Sequence, residues 1–377
     1  HLATMSTDNY ILGTNGGLLQ YGYKPDNIKR DDLSWEKNQM INAGIDLQMF
    51  DGYIGFSVDY YNTNTSNMLL YVPVPLLTGY STSLQNLGKV NNRGWELALT
   101  SQHTFANGFG YSFNANYAKN TNEVKELGPG NAPIISSGSV AHAYYITEVG
   151  KPIGNYYLLV QDGIFATEED LKKYPHFDNT EVGDFRFVDV DGDGKLDLDK
   201  DRTICGNYMP KFTYGFGGKL WYAGFDMDFN FQGVYGNKIL NLNKRYLDNM
   251  EGNTNGTKIA LDRWKSPENP GSGSVNKANR KQTGYNSRTS TWHLESGSYL
   301  RLQNLSLGYT LPRALTQKFK VEKMRVYVSG QNLFTITNYS GYNPEVNARP
   351  SKNLTPGEDY GTYPLARTYM FGLNLTL

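Results

Sequence analysis

The chain has 377 residues, with 36 Lys plus Arg balancing 36 Asp plus Glu, and only 39% of it is hydrophobic. Zero net charge gives no electrostatic reason for a nucleic-acid partner, and so low an apolar content is thin for a thick globular core. No run approaches about eighteen consecutive apolar residues, which excludes a transmembrane helix but leaves a transmembrane β-barrel open. The 29 Tyr and 40 Gly fit turn-rich β-structure with interfacial rings. Cys205 stands alone, so no internal disulfide forms.

The chain opens at His1 without an apolar leader core, the mark of a processed, truncated or partial sequence. Gly17 to Tyr23 is a weak strand. Ile41, Ala43, Ile45, Leu47 and Met49 then alternate with Asn42, Gly44, Asp46 and Gln48. Asp51-Gly52 supplies a two-residue turn into Ile54, Phe56, Val58 and Tyr60. Trp95, Leu97 and Leu99 pass through Asn107-Gly108 into Tyr111, Phe113, Ala115 and Tyr117. Ala143 to Val149 and Tyr156 to Ile164 flank a short connection at 150–154.

The clearest hairpin is next. Tyr214, Phe216, Leu220 and Tyr222 lead through Ala223-Gly224 to Phe225, Met227, Phe229, Phe231 and Tyr235, with Asp226, Asp228, Asn230 and Gln232 on the other face. Leu305 to Leu311, Met324 to Phe334 and Tyr369 to Leu377 complete the set. The count is about 12 strands of about ten residues; at 3.3 Å per residue and a tilt near 40° each rises roughly 25 Å, the height of a barrel's lipid-facing band. Short connections at 51–52, 107–108, 150–154, 223–224 and 312–323 alternate with long ones near 62–92, 120–141, 165–210, 236–298 and 336–363. Outer-membrane barrels sort their loops in this way, with short turns in the periplasm and long loops outside. The competing reading is a soluble or secreted carbohydrate-binding β-sandwich, in which the same apolar faces bury against each other.

Asp189, Asp191 and Asp193, followed by Gly194, form the front of a calcium loop. The backbone carbonyl of Lys195 takes the seventh position and Asp197 the ninth. The twelfth is Lys200 rather than an acid, and Asp201 comes one residue late. The five histidines have no zinc spacing, and no nucleophile elbow or phosphate loop is present. The glycine-rich stretches 13–17 and 215–218 read as turn and strand glycines.

Several segments together resemble the SusC/RagA-type TonB-linked outer-membrane transporters. They are Asp59–Leu69 (DYYNTNTSNML), Leu87–Glu96 (LGKVNNRGWE), Asp189–Gly206 and Asp262–Pro270 (DRWKSPENP). Further on come Ser298–Pro312 (SYLRLQNLSLGYTLP), Arg325–Phe334 (RVYVSGQNLF), Gly341–Val346 (GYNPEV) and Pro364–Tyr369 (PLARTY). The resemblance covers nearly all of residues 1–377 and implies an all-β, transmembrane antiparallel barrel. These strands would be the C-terminal part of a 22-stranded barrel, without its plug, TonB box and early strands. It further implies TonB-dependent import of a large nutrient, an oligosaccharide or a peptide, across the outer membrane of a Bacteroidota-like cell. The implied partners are a SusD-like lid lipoprotein, TonB, the remainder of the barrel and plug, and outer-membrane lipid. The terminal Leu377 departs from the aromatic usual there. The loop aromatics Tyr246, Trp264, Tyr285, Trp292, Tyr339 and Tyr342 are the candidate substrate contacts, the plainer role being to fasten loops or meet the lid.

Overall fold

The computed structural model describes residues 4–13, 17–80, 82–281 and 284–377; His1 and residues 14–16 of the first glycine-rich stretch lie outside them. Strands β1 (Met5–Leu12) and β2 (Leu18–Pro25) pair as a separate hairpin. Strands β3 (Lys37–Met49), β4 (Ile54–Pro73), β5 (Thr82–Thr104) and β6 (Gly110–Leu127) begin the main sheet. The first long link carries β7 (Ile134–Ser137), β8 (Tyr144–Thr147), β9 (Asn155–Leu159), β10 (Gln161–Ile164), helix α1 (Glu168–Lys173), β11 (Phe185–Phe187) and β12 (Arg202–Asn207). The sheet resumes with β13 (Phe212–Tyr222) and β14 (Phe225–Tyr235). A second link holds β15 (Lys238–Asn241), α2 (Lys244–Leu247) and β16 (Leu294–Ser296). After β17 (Tyr299–Thr310) and β18 (Lys323–Thr337), a third link holds β19 (Glu358–Asp359), and β20 (Thr368–Thr376) closes the chain. The main sheet has nine antiparallel strands in the order β20-β18-β17-β14-β13-β6-β5-β4-β3.

The register puts like with like across the sheet. Tyr222, Phe225, Tyr309, Val326 and Leu373 form one apolar row, and Leu220, Met227, Leu307, Val328 and Phe371 the next. On the opposite face Lys219, Asp228, Ser306 and Ser329 form a row, as do Gly217, Asn230, Asn304 and Gln331. Phe225, Leu307, Val328, Phe371 and Leu373 remain exposed, and no buried cluster among the described residues contains a residue of this apolar face. A sandwich would have covered it, so the soluble reading fails here.

Aromatic rings gather at two heights on the apolar face. At the short-turn end, Tyr53 meets His103 and His103 meets Phe105, both at 4.5 Å, and Phe225 meets Tyr309 at 4.5 Å. Towards the other end, Tyr60 packs on Trp95 at 4.8 Å, Phe212 on Tyr235 at 4.9 Å and Tyr117 on Phe212 at 5.3 Å. From Phe225 to Tyr235 is about 33 Å along the strand and roughly 25 Å in height at a 40° tilt, the separation of the two aromatic girdles of an outer-membrane barrel.

Turn chemistry is as expected at Ala223-Gly224, where both residues have positive φ (47° and 87°) and Tyr222 pairs directly with Phe225. The other two turns are longer than their dipeptides suggest. Met49 pairs with Ile54, leaving four residues outside the ladder, and Thr104 pairs with Gly110, leaving five.

Two expectations are corrected. The segments 143–149 and 156–164 are not wall strands; β8 and β9 belong to a four-stranded sheet, β12-β9-β8-β7, inside the first link. Tyr145, Tyr156 and Leu158 are fully buried there, so these short strands answer to an apolar environment rather than to lipid. Removing a hairpin takes away two strands, so the three remaining long links, β6 to β13, β14 to β17 and β18 to β20, still leave from the same end of the sheet. The supposed loop at 62–92 is mostly strand, since β4 has 20 residues and β5 has 23. Beyond the lipid band neither face of a strand meets lipid, so alternation ceases while the ladder continues. Side-chain amides take over there: Asn91 Nδ2 donates to Asn62 Oδ1 at 2.6 Å and to Asn64 Oδ1 at 2.9 Å, and Asn122 Nδ2 to Asn92 Oδ1 at 2.9 Å.

Candidate functional site

The buried core of this protein lies in its long links, and these are tied to one another. β15 pairs antiparallel with β16 and parallel with β19, joining the second and third links. Glu358, fully buried, accepts from the Ser139 backbone N–H at 3.0 and 3.1 Å, from the Ser139 hydroxyl, and from the Tyr145 hydroxyl at 3.1 Å. The Tyr156 hydroxyl lies 3.0 Å from both the Lys238 and the Gly357 carbonyls. Gly357 has φ of 77°, and a Cβ there would stand 2.2 Å from the Tyr156 hydroxyl, so the position requires glycine. Burial pushes the Tyr145 and Tyr156 phenols far above their ordinary range, so both remain hydrogen-bond donors at any physiological pH.

The third link is clamped to the wall by the polar residues of two motifs. Arg301 on β17, almost fully buried, pairs with Glu345 and donates to Asn343 Oδ1 at 2.8 Å and Thr335 Oγ1 at 3.0 Å. The Tyr299 hydroxyl donates to Glu345 at 2.5 Å. Sequence reasoning quoted both segments as part of a resemblance but missed this contact between them. The available signal was a single Arg in an otherwise neutral strand.

In the acidic loop, ligand oxygens of Asp189, Asp191 and Asp193 lie within 4.8 Å of one another. Asp189 accepts from the backbone N–H of Gly192 at 2.7 Å and Gly194 at 2.8 Å, which folds the loop around the three carboxylates. The far half is arranged differently. Asp197 accepts from the N–H groups of Asp199 and Lys200, which hold its carboxyl below the usual range. Asp201 is outside the acidic triad: fully buried, it accepts from the N–H of Val190 at 2.8 Å and of Asp197 at 2.6 Å. It fastens the loop's two ends, and both its oxygens are engaged.

Of the six loop aromatics, four are packing residues. Trp264 covers Gly183, and Tyr285 stacks on Phe177 at 4.2 Å. Trp292 packs on Phe185 at 5.1 Å beneath the Lys244 ammonium, and the buried Tyr339 donates to Asp359 at 2.5 Å. Tyr246 and Tyr342 are open to solvent. Tyr246 lies beside Tyr360, whereas Tyr342 is 77% exposed and free to meet a ligand.

On the wall's polar face, Arg325 bridges to Asp226 at 2.9 and 2.6 Å, passing over Gly308, where a Cβ would lie 2.4 Å from its guanidinium. Asn114, Asn116, Asn230, Gln232 and Gly215 line a concavity of about 410 Å³ on the same face. The surface presents amide donors and acceptors in a row, suited to hydroxyl or peptide groups.

The TonB dependent receptor-like, beta-barrel family matches residues 4–333. TonB-dependent receptor P3 of Formosa agariphila is 34% identical over 389 residues, covering 99% of this chain and 37% of that protein. TonB-dependent receptor SusC of Bacteroides thetaiotaomicron is 27% identical over 351 residues, covering 92% of this chain and 32% of that protein. The solved structure of the RagAB peptide transporter superposes with a TM-score of 0.77 at 26% identity, covering 100% of this chain and 38% of the matched one. The chain therefore spans about a third of the length of these relatives.

Proposed function

This chain belongs to the TonB-dependent receptor-like β-barrel family, among the SusC/RagA outer-membrane transporters, and from that premise we propose that it forms the wall and outer loops of a TonB-dependent importer. The cargo is a nutrient too large for ordinary porins, an oligosaccharide or a peptide. One observation carries the reading: a single sheet has one apolar face between two aromatic rows about 25 Å apart, while its other face is polar and its long links all leave from one end. The apolar face meets lipid, the polar face borders the conduit, and the tied links receive the cargo, with a SusD-like lipoprotein as lid. The edge strands β3 and β20 have no second neighbour among the described residues. Open edges are not tolerated in hydrocarbon, so the wall needs further strands for closure. The decisive experiment deletes the full-length gene and follows uptake of labelled oligosaccharides and labelled peptides. Loss of one class, restored by the gene but not in a TonB-deficient strain, is the expected result; uptake unchanged by deletion, or independent of TonB, would sink the proposal.

We also propose that the acidic loop holds calcium as a brace. The convergence of Asp189, Asp191 and Asp193 supports this, with the Lys195 carbonyl as a fourth oxygen and Asp197 in the outer sphere. Asp201 contributes by fastening the loop rather than by touching the ion. Calcium should raise the melting temperature of the full-length protein, and the Asp191→Asn variant should lose that response.

A further inference from the structure

The links also concentrate positive charge where the first and second of them meet. Arg202, at the start of β12, is 7% exposed and lays its guanidinium on the Tyr144 ring, 3.8 Å from the centroid. Its acidic partner Asp199, at 3.2 Å, has a side chain 88% open to water, so solvent screens much of that pair. Arg288 contacts Nε2 of His142, and Arg245 on α2 donates to the Ser287 carbonyl. Neither Arg245 nor Arg288 makes an ion pair among the described residues, although the buried Glu251 carboxyl acts on Arg245 from a longer range. The three guanidiniums act on one imidazole. Burial first, and then Arg288, Arg202 and Arg245, lower the pKa of His142 to about 4, so the ring is neutral at pH 7. His142 itself has φ of 66°, a left-handed conformation that a β-carbon disfavours, and its Nδ1 is buried without a partner.

Like charges gathered in a partly buried space raise one another's energy, and an oxyanion is the ligand class that relieves them. The planar fork of a guanidinium matches a carboxylate, sulfate or phosphate face, and a ring-stacked guanidinium such as that of Arg202 is already held in place. Contact with Arg288 on one side and the edge-on Tyr144 ring on the other hold the His142 imidazole against this group.

We propose that Arg202, Arg245 and Arg288, set around His142 and Tyr144, form a binding site for an oxyanion carried by a solute: a carboxylate, a sulfate or a phosphate group. The site goes beyond the import reading, because binding is measured with no transport. Full-length protein in detergent is dialysed to equilibrium at low ionic strength against radiolabelled inorganic sulfate, inorganic phosphate and acetate in separate arms. Saturable binding of at least one anion is expected, weakened at least tenfold by Arg288→Gln and by Arg245→Gln but only a few-fold by Arg288→Lys. The arm that saturates at the lowest concentration identifies the oxyanion class. Retained heat-modifiable migration shows that a variant is folded, and should Arg288→Gln not fold, Arg245→Gln and Arg288→Lys carry the comparison. Absence of saturable binding in all three arms, or affinity unchanged in the folded Gln variants, would overturn the assignment.

Discussion

The orientation of the sheet can be tested by placing one charge at three positions. Leu305 pairs with Phe229, four residues along β14 from the ring of Phe225. Four residues are about 13 Å of strand and about 10 Å of height, which sets Leu305 near the middle of a band about 25 Å tall. An arginine there costs about 2–4 kcal/mol, a roughly 30- to 700-fold shift in the folding equilibrium. The adjacent Ser306 lies at the same depth but on the other face, directly opposite Asp228, so Ser306→Arg should cost less than about 0.5 kcal/mol. Leu375 shares the apolar face but pairs with Met324 beside the short turn, and Leu375→Arg should cost about 0–1 kcal/mol as the charge reaches the interface. Full-length protein folded into vesicles and titrated with urea, followed by heat-modifiable migration, gives the three values. If Ser306→Arg destabilises as much as Leu305→Arg, or if depth makes no difference, the apolar face is not turned to lipid.

Three further outcomes follow from the links. Arg301→Ala removes the clamp on the third link while Glu345 remains partly open to water. A loss of about 2 kcal/mol is therefore expected, seen as proteolysis within 338–367 while the wall stays intact. Asp201→Ala strands the N–H groups of Val190 and Asp197. It should cost about 1–3 kcal/mol locally and abolish any calcium-induced rise in melting temperature, although Asp201 does not touch the ion. His293 is fully buried, and burial lowers its pKa from 6.5 to about 3. Between those values the unfolded chain binds the proton and the folded chain does not. Its contribution is therefore complete above about pH 6.5 and is lost as pH falls to about 3, at roughly 1.4 kcal/mol per unit and about 5 kcal/mol at most. Glu251, whose pKa burial raises, gives the opposite slope above its ordinary value. His142, lowered to about 4, adds a slope of the same sign, so hydrogen exchange in the links across this range should respond in wild type and become shallower, not flat, in His293→Gln; an unchanged slope would remove His293 as a source.

The wall was legible in the sequence because lipid on one side and water on the other impose a period of two. Residues 212–235 kept that period from end to end, and their turn dipeptide dictated its geometry. Legibility stopped where the physical asymmetry stopped. Above the band, β4 and β5 continue through Asn62, Asn64, Asn91 and Asn122, whose amide ladder leaves no hydropathy signal. Inside the links, the apolar pairs of β8 and β9 look like wall strands because burial in a protein core and exposure to lipid select the same side chains. The candidate site was read only in part. An acidic spacing can be counted along the chain, so the triad of Asp189, Asp191 and Asp193 was accessible. The engagement of Asp201 with two backbone groups depends on how the loop closes. The aromatics Trp264, Tyr285, Trp292 and Tyr339 are packing residues for a reason the sequence does not carry: links of this length need a core of their own, and large rings supply it.

That division of labour bears on how the molecule works. The apolar face packs against no second protein layer; the wall is held by its ladder, by ring contacts between neighbouring strands on that face and by the strands beside it. The links bury their own core and are joined by Glu358, Tyr156, Arg301 and β19 into one body. A receiving surface made of independent loops would lose ordering entropy each time a large ligand bound. One made of mutually tied links has already met that cost on folding, so under the import proposal the cargo would meet a formed surface. The exposed Tyr342 lies one residue from Asn343, which Arg301 holds through a hydrogen bond. Its position is therefore fixed from the wall, and on the proposal that Tyr342 meets cargo, loosening Arg301 should weaken cargo binding indirectly. In full-length protein, Arg301→Ala and Tyr342→Ala should each reduce affinity for the transported ligand, and the double variant should lose less than the sum. Additive losses would mean that the clamp and the ring act separately.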